Sequence, residues 1–229
     1  MTPSVAESAA CLDGLLRSRC SVRAFRDEAV PRETVLEILR VAGRAPSNSN
    51  TQPWRVHALA GEAIRELEAA ITAVFDSGQL PPPHHFPAPL PDEYGARQAD
   101  FAARYYQALG IDRTDAAART RQTRRNFGFF GAPVGLIFSI DACLKPHSWL
   151  DLGLYLQSVM LAARSRGLDT CPQVSFAPYH AVIAPVLGLP EGQVTVCGMS
   201  LGYRDERAPV NGLQMPRRDV SEFVRTMGF

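Results

Sequence analysis

Residues 148–167 read SWLDLGLYLQSVMLAARSRG. Leu152, Tyr155, Leu156, Val159, Met160 and Ala163 recur at the spacing of a helix with one buried face. Gly167 follows, and a glycine ends a helix at little cost because it can turn left-handed. This is the most apolar helical stretch of the chain, so the core is expected to form around it.

Strand-like stretches lie on both sides of it in sequence. APVGLIFSI, residues 132–140, is a short and almost unbroken apolar run, which suits a buried strand. QVTVCGMSLG, residues 193–202, reads as a second strand, and WRVHALA, residues 54–60, alternates as a third. Helical sequence fills much of the rest. It is expected over residues 8–18, from Pro31 through PRETVLEILRVAGRA, where proline suits the first helical position, and over GEAIRELEAAITAVF, residues 61–75. Val35, Leu36, Ile38 and Leu39 give the second of these an apolar face, and Pro46 stops it. The result is an α+β pattern with few strands and several long helices. There are no internal repeats.

Residues 76–92 are proline-rich and cannot form a regular element. Helical sequence resumes after them and runs to residue 127, so the stretch is an excursion and not a domain boundary. The tail YRDERAPVNGLQMPRRD, residues 203–219, is expected to be extended, with a short helix after it.

The chain has 229 residues, enough for one large domain or two small ones, with 46% hydrophobic and 21% charged residues. Its formal net charge of +1 argues against a nucleic-acid or anionic-membrane binder, which carries a basic excess. The N-terminus lacks the basic and apolar regions of a secretory signal, and no apolar run is long enough to span a bilayer. Five scattered cysteines without a C-x-x-C pair fit neither a disulfide framework nor a zinc site, and point to a reducing cytoplasm.

Against that neutral background, RSRCSVRAFR, residues 17–26, holds four arginines. A local cluster suits a small anion. Guanidinium groups at Arg19 and Arg23 can grip phosphate oxygens with paired donors, and Ser21 can complete the shell. A solvated basic turn is the plainer alternative. APSNSNTQPW, residues 45–54, packs amides and hydroxyls between a helix and a strand, where they could bond a heterocycle edge or serve only to end the helix. GLDTCPQVSF, residues 167–176, reads as a helix-to-strand connection with a proline that fixes backbone direction. Cys171 within it has no activating neighbour in sequence and is expected to be a buried thiol.

Together, in this order, these stretches resemble the nitroreductase family of FMN-dependent oxidoreductases, over nearly the whole chain. The resemblance rests on R-x-S-x-R, P-S-x-x-N-x-Q-P-W, SWLDLGLYLQSVMLAA, G-L-x-T-C-P and the tail LGYRDERAPVNGLQMPR; the middle segment is similar to the nitrobenzoate-reductase-like branch. It implies one nitroreductase-like domain over residues 1–229, with a central mixed β-sheet flanked by helices. It also implies an intertwined homodimer, with residues 76–127 as a lid and the tail, 203–229, wrapping the partner subunit. It implies FMN held at the dimer interface, with Arg19, Cys20, Ser21, Arg23 and Arg217 on the phosphate side. Pro46, Ser47, Asn48 and Asn50 would meet the flavin from the other subunit. Pro172, Gln173, Val174 and Ser175 would line the flavin ring near N5. Cys20 stands where many members have Arg or His, and Val174-Ser175 where many have Gly-Gly or Glu-Gly.

The function so implied is reduction of nitroaromatic or quinone-like small molecules with NADPH or NADH by ping-pong hydride transfer. The flavin carries the hydride and no protein residue is assigned as catalytic. Phe129 and Phe130, in NFGFFG, are candidates for the acceptor pocket, with His84, His85, Phe86 and Tyr94 for the lid. Core packing is the plainer reading for at least two of Phe127, Phe129 and Phe130. The alternatives are an FMN-dependent dehydrogenase, a reductive dehalogenase of the same fold, or a non-catalytic flavin-binding protein. No nucleic acid, membrane or metal partner is expected.

Overall fold

The computed structural model describes residues 4–79 and 90–229. His84, His85 and Phe86 lie outside the described residues. Four strands form one sheet in the order β1-β2-β4-β3: β1 (Arg55–Ala60), β2 (Val134–Asp141), β3 (Asp169–Gln173) and β4 (Gln193–Gly202). All three ladders are antiparallel. The mixed character expected of the sheet is confined to one parallel bridge, between Ser21 and Thr170 at its edge.

Helices cover both faces. On one lie α2 (Arg32–Ala42) and α6 (Pro146–Arg164), the helix read first from the sequence. Leu152, Tyr155, Val159, Ala162 and Ala163 of α6 pack with Val134, Leu136, Phe138 and Ile140 of β2 and with Cys197, Met199 and Leu201 of β4. On the other face α3 (Glu62–Asp76) and α7 (His180–Leu187) pack with Ile137 of β2 and with Phe127, Phe129 and Phe176. Successive residues of β2 therefore point to opposite cores, which is why its sequence is apolar throughout. Each large side chain so buried contributes about 1.5–3 kcal/mol relative to exposure.

Two close approaches need glycine. A Cβ at Gly135 would enter the ring of Phe129, and one at Gly198 the ring of Phe176. Those two rings stack with centroids 4.8 Å apart. Phe127 and Phe129 are core residues, as the plainer reading has it.

Several boundaries differ from the sequence reading. The first helix, α1 (Val5–Ser18), starts three residues early because Ser4 and Glu7 form a reciprocal capping box. Pro31 stands one position before the first residue of α2, as its N-cap. Residues 169–173, expected to be a connection, are edge strand β3. Pro172 is tolerated there because an edge strand has one side free of ladder bonds. Helix α7 has no counterpart in that reading. After the excursion come α4 (Asp92–Ala108) and α5 (Ala116–Arg124). Among the described residues no helix is long and apolar enough to cross a membrane.

Candidate functional site

The arginine segment leaves α1 at Arg19 in extended conformation and is pinned to the sheet edge and the tail. Val22 N–H donates to the Thr170 carbonyl at 3.0 Å, and Arg26 N–H to the Tyr203 carbonyl at 2.9 Å. The buried Asn211 clips the two strands of chain together. Its Oδ1 accepts from Arg23 N–H at 2.9 Å, and its Nδ2 donates to the carbonyls of Ala24 and Asp205 at 2.7 and 2.8 Å. The backbone between residues 19 and 26 is thus fixed, and the segment presents a run of its residues to one side.

That side is a cleft of about 970 Å³. Arg19, Cys20, Ser21, Arg23 and Arg217 all line it, with Arg17, Gln157, Arg164 and Arg204. The tail folds back to bring Arg217 in, and its Nη1 donates to the carbonyls of Met215 and Pro216 at 3.0 and 3.1 Å. Among the described residues no acidic side chain lines the cleft.

The six arginines fall into two sets. Arg164 and Arg204 are ion-paired to Asp169, whose side chain is buried in the wall. Burial works against the Arg204 charge, but Asp169 more than offsets it, and the Arg204 pKa lies above its ordinary value. Nη2 of Arg204 also reaches Cys20 Sγ at 2.9 Å. Arg17, Arg19, Arg23 and Arg217 form no ion pair among the described residues. Four uncompensated guanidiniums around a serine are a donor set for a phosphate-sized anion, and they fit the phosphate of FMN.

The other two predicted groups lie outside this cleft. Pro172 and Gln173 end β3, and a 3₁₀ turn begins at Val174. The Gln173 side chain is committed inside the protein. Its Oε1 accepts from Ser200 Oγ at 2.7 Å and its Nε2 donates to the Asn126 carbonyl at 2.8 Å. Val174 is exposed, and the Oγ of Ser175 is buried without a hydrogen-bond partner among the described residues. A buried hydroxyl with no partner is costly, so a group beyond the described residues is expected to bond to it. Burial pushes the Cys171 thiol up to about 11, as expected of an inert core cysteine.

Pro46, Ser47, Asn48 and Asn50 form a loop anchored on α6. The buried carboxylate of Asp151 accepts from Asn48 N–H at 3.2 Å, and Ser47 Oγ accepts from Gln52 N–H at 3.0 Å. Trp54 stacks on Tyr155 with centroids 4.7 Å apart. Ser49, Asn50 and Gln52 all have positive φ, at 50, 58 and 48°. Such conformations cost about 1–3 kcal/mol each in non-glycine residues and cluster at functional sites.

A second cavity, of about 490 Å³, lies between α4 and α5 and shares Arg23 and Phe101 with the first. Phe130 lines it. Phe129, by contrast, is fully buried among Phe127, Phe176 and Ile137 and lines no described cavity. The acceptor-pocket expectation for Phe129 is corrected on that ground: its ring fills the space over Gly135. Tyr94 is exposed at the start of α4 and lines neither cavity.

Sequence reasoning missed Asp169, Arg164, Arg204, Gln157 and Asn211. One signal was available for Asp169, a carboxylate between Leu168 and Thr170 in an otherwise apolar stretch. A charge in such a place needs a cationic partner. Nothing in the sequence says that the partners are residues 164 and 204.

The family model described as Nitroreductase family matches residues 16–203. The chain is 49% identical over 217 residues to a 4-nitrobenzoate reductase of Pseudomonas putida, covering 95% of this chain and 96% of that protein. It is 42% identical to a nitrobenzene nitroreductase of Ectopseudomonas oleovorans, covering 93% of this chain and 95% of that one. Among solved structures, the FMN and NADPH-dependent nitroreductase NfnB from sphigopyxis sp. strain HMH superposes with a TM-score of 0.92. It is 37% identical, over 95% of this chain and 99% of that one. The FMN-dependent NfnB from Mycobacterium smegmatis, solved in complex with NADPH, gives 0.91 at 33% identity, over 96% and 99%.

Proposed function

The chain belongs to the nitroreductase family, and from that premise we propose a homodimeric FMN enzyme that uses NADPH or NADH to reduce nitroaromatic or quinone-like acceptors. The observation that carries this reading is the cleft in which four unpaired arginines meet Ser21 with no acidic residue among the described lining. The FMN and NADPH-dependent relatives supply the identity of the anion.

When bound, FMN would supply the redox chemistry that links a nicotinamide donor to the acceptor in ping-pong order. The protein holds and orients. Arg19, Arg23 and Arg217 would neutralise the phosphate and Ser21 would bond to it, with Cys20 beside them on Arg204. Asp169 keeps Arg164 and Arg204 facing the cleft. Pro172, Gln173, Val174 and Ser175 would border the ring, and Ser175 Oγ would gain there the partner that it lacks among the described residues. Pro46, Ser47, Asn48 and Asn50 come from a second copy, a reading compatible with their absence from the lining of this chain's own arginine cleft. The tail, residues 203–229, lies on that copy, and the described residues of 76–127 cover the acceptor side within a single domain of 229 residues. The enzyme works in the cytoplasm, a reading that the free cysteines support.

The test is direct. The purified protein should be yellow, should bleach with NADPH or NADH without oxygen, and should recolour on adding a nitroaromatic. Bleaching without reoxidation by any nitroaromatic or quinone would favour a dehydrogenase or dehalogenase of the same fold. A flavin that neither nicotinamide bleaches would favour a carrier.

A further inference from the structure

We propose that Asn211 is a positioning residue for the cofactor phosphate: its side-chain amide locks the tail onto the arginine segment and so sets the spacing of the guanidiniums that close on a phosphate monoester. The proposal rests on the reading of the arginine cleft as the FMN phosphate site and adds to it the residue that assembles that site.

The cations of the cleft come from two stretches far apart in sequence. Arg19 and Arg23 stand on the segment that leaves α1, and Arg217 stands on the tail. Guanidiniums from both can meet one anion only if the two backbones keep a fixed distance. Two backbone bonds begin that work, from Arg26 N–H to the Tyr203 carbonyl at 2.9 Å and from Asp205 N–H to the Ala24 carbonyl at 3.0 Å. Both lie at the end of the tail remote from Arg217. Beyond them the chain turns back through a 3₁₀ turn, Pro209–Gly212, and Asn211 of that turn reaches the arginine segment.

The amide is used in full. Oδ1 accepts from the N–H of Arg23, and Nδ2 donates to the carbonyls of Ala24 and Asp205. The N–H of Asn211 itself donates to the Ala208 carbonyl at 3.0 Å, which fixes the turn. The residue is 6% exposed and yet borders the cleft. Asparagine suits the place because one side chain carries an acceptor and two donors. Aspartate, of the same shape, would set an oxygen against both carbonyls. Alanine would leave the Arg23 N–H without its partner. The clip therefore acts on both halves of the site. It bonds to the backbone of Arg23, and the chain runs from it through Gly212, Leu213, Gln214 and Met215, all in the cleft wall, to Arg217.

The experiment titrates flavin-free wild type, Asn211→Ala and Asn211→Asp with FMN and with riboflavin, which differ only in the phosphate. The ratio of the two Kd values, riboflavin over FMN, isolates what the phosphate contributes. It should be large in the wild type and fall about 10- to 100-fold in both variants, as for the loss of a charge-assisted bond. A merely structural role would weaken both flavins alike and leave the ratio in place. In an Arg217→Ala background, Asn211→Ala should lower the ratio by much less, because residues that act as a unit are not additive. An unchanged ratio in the single variants overturns the proposal, and so does a full further drop in the double variant. A wild-type ratio near one is a different failure: it removes the phosphate from the cleft and the proposal with it. If the variants do not fold, hydrogen exchange of the wild type decides. FMN should slow exchange in residues 19–26 and 209–217 together, and riboflavin much less. Protection confined to one of the two stretches overturns the proposal.

Discussion

Arg204 donates to both carboxylate oxygens of Asp169, from Nε to Oδ2 at 3.0 Å and from Nη2 to Oδ1 at 3.1 Å, while Arg164 Nη1 approaches the same two oxygens at 3.3 Å. One buried carboxylate thus holds two cations in the wall of an already cationic cleft. Asp169→Asn would leave both guanidiniums unneutralised there. Breaking a buried pair costs about 3–5 kcal/mol, and these arginines are partly exposed, so the lower end is expected. Urea unfolding measures this; a loss below about 1 kcal/mol, the range of exposed pairs, would show that water screens the triad.

Arg19→Ala and Arg217→Ala should each weaken FMN binding. A hydrogen bond to a charged group is worth about 1.5–3 kcal/mol, or a tenfold or greater rise in Kd. Fluorescence titration of apoprotein reads the change, and both proteins should purify pale. Unaltered affinity in both would remove the phosphate from this cleft.

Gly198→Ala should destabilise the fold without touching the cofactor cleft. The added methyl meets the Phe176 ring, which is fully buried and stacked on Phe129, and Phe129 in turn sits over Gly135. Neither ring has room to retreat, so a cost of about 1–3 kcal/mol is expected, lowering Tm by several degrees. A melting curve that does not move would mean that the aromatic stack can slide.

Alkaline stability carries a signature of the two buried thiols. Burial pushes Cys171 up to about 11 and Cys197 up to about 12, from an ordinary 9.0. Above 9.0 the unfolded chain loses these protons while the folded one keeps them. Stability is therefore fully present below that pH and is lost as pH rises toward the folded values, at up to about 1.4 kcal/mol per pH unit per group. Cys197→Ala should be less stable at neutral pH but show a shallower alkaline decline in urea unfolding. Parallel declines for the two proteins would assign the slope to other groups, among them Tyr155, which burial pushes up to about 12.

The tail leaves apolar side chains uncovered within one chain: Val220, Phe223, Met227 and Phe229 are all more than half exposed. Light scattering should report a dimer, because an intertwined interface buries more than about 2,000 Å². Removing residues 220–229 should weaken that dimer and shed flavin. A 25.0 kDa monomer that retains FMN would contradict the two-copy site.

Much of this was legible in the sequence because local pattern and tertiary role agreed. The α6 stripe and the apolar run of β2 each state their own burial, and R-x-S-x-R states its charge. β3 was not legible: five residues with a proline look like a connection until β4 pairs with them. Phe129 and Phe130 are adjacent, both buried and both with positive φ, and only their three-dimensional setting puts Phe129 within the aromatic core cluster and Phe130 at the wall of a cavity. Asp169 and Arg204 are 35 residues apart, a separation that no local pattern encodes.

The two edges of the sheet are unequal. At β3, Pro172 lacks an N–H and Ser21 already bridges Thr170, so that side is closed to further pairing. Among the described residues no strand pairs with the outer side of β1. A strand supplied from outside therefore finds its open edge at β1. An unpaired strand edge is where a neighbouring chain would add, so the outer side of β1 is the face of the sheet on which association by strand pairing is expected to begin.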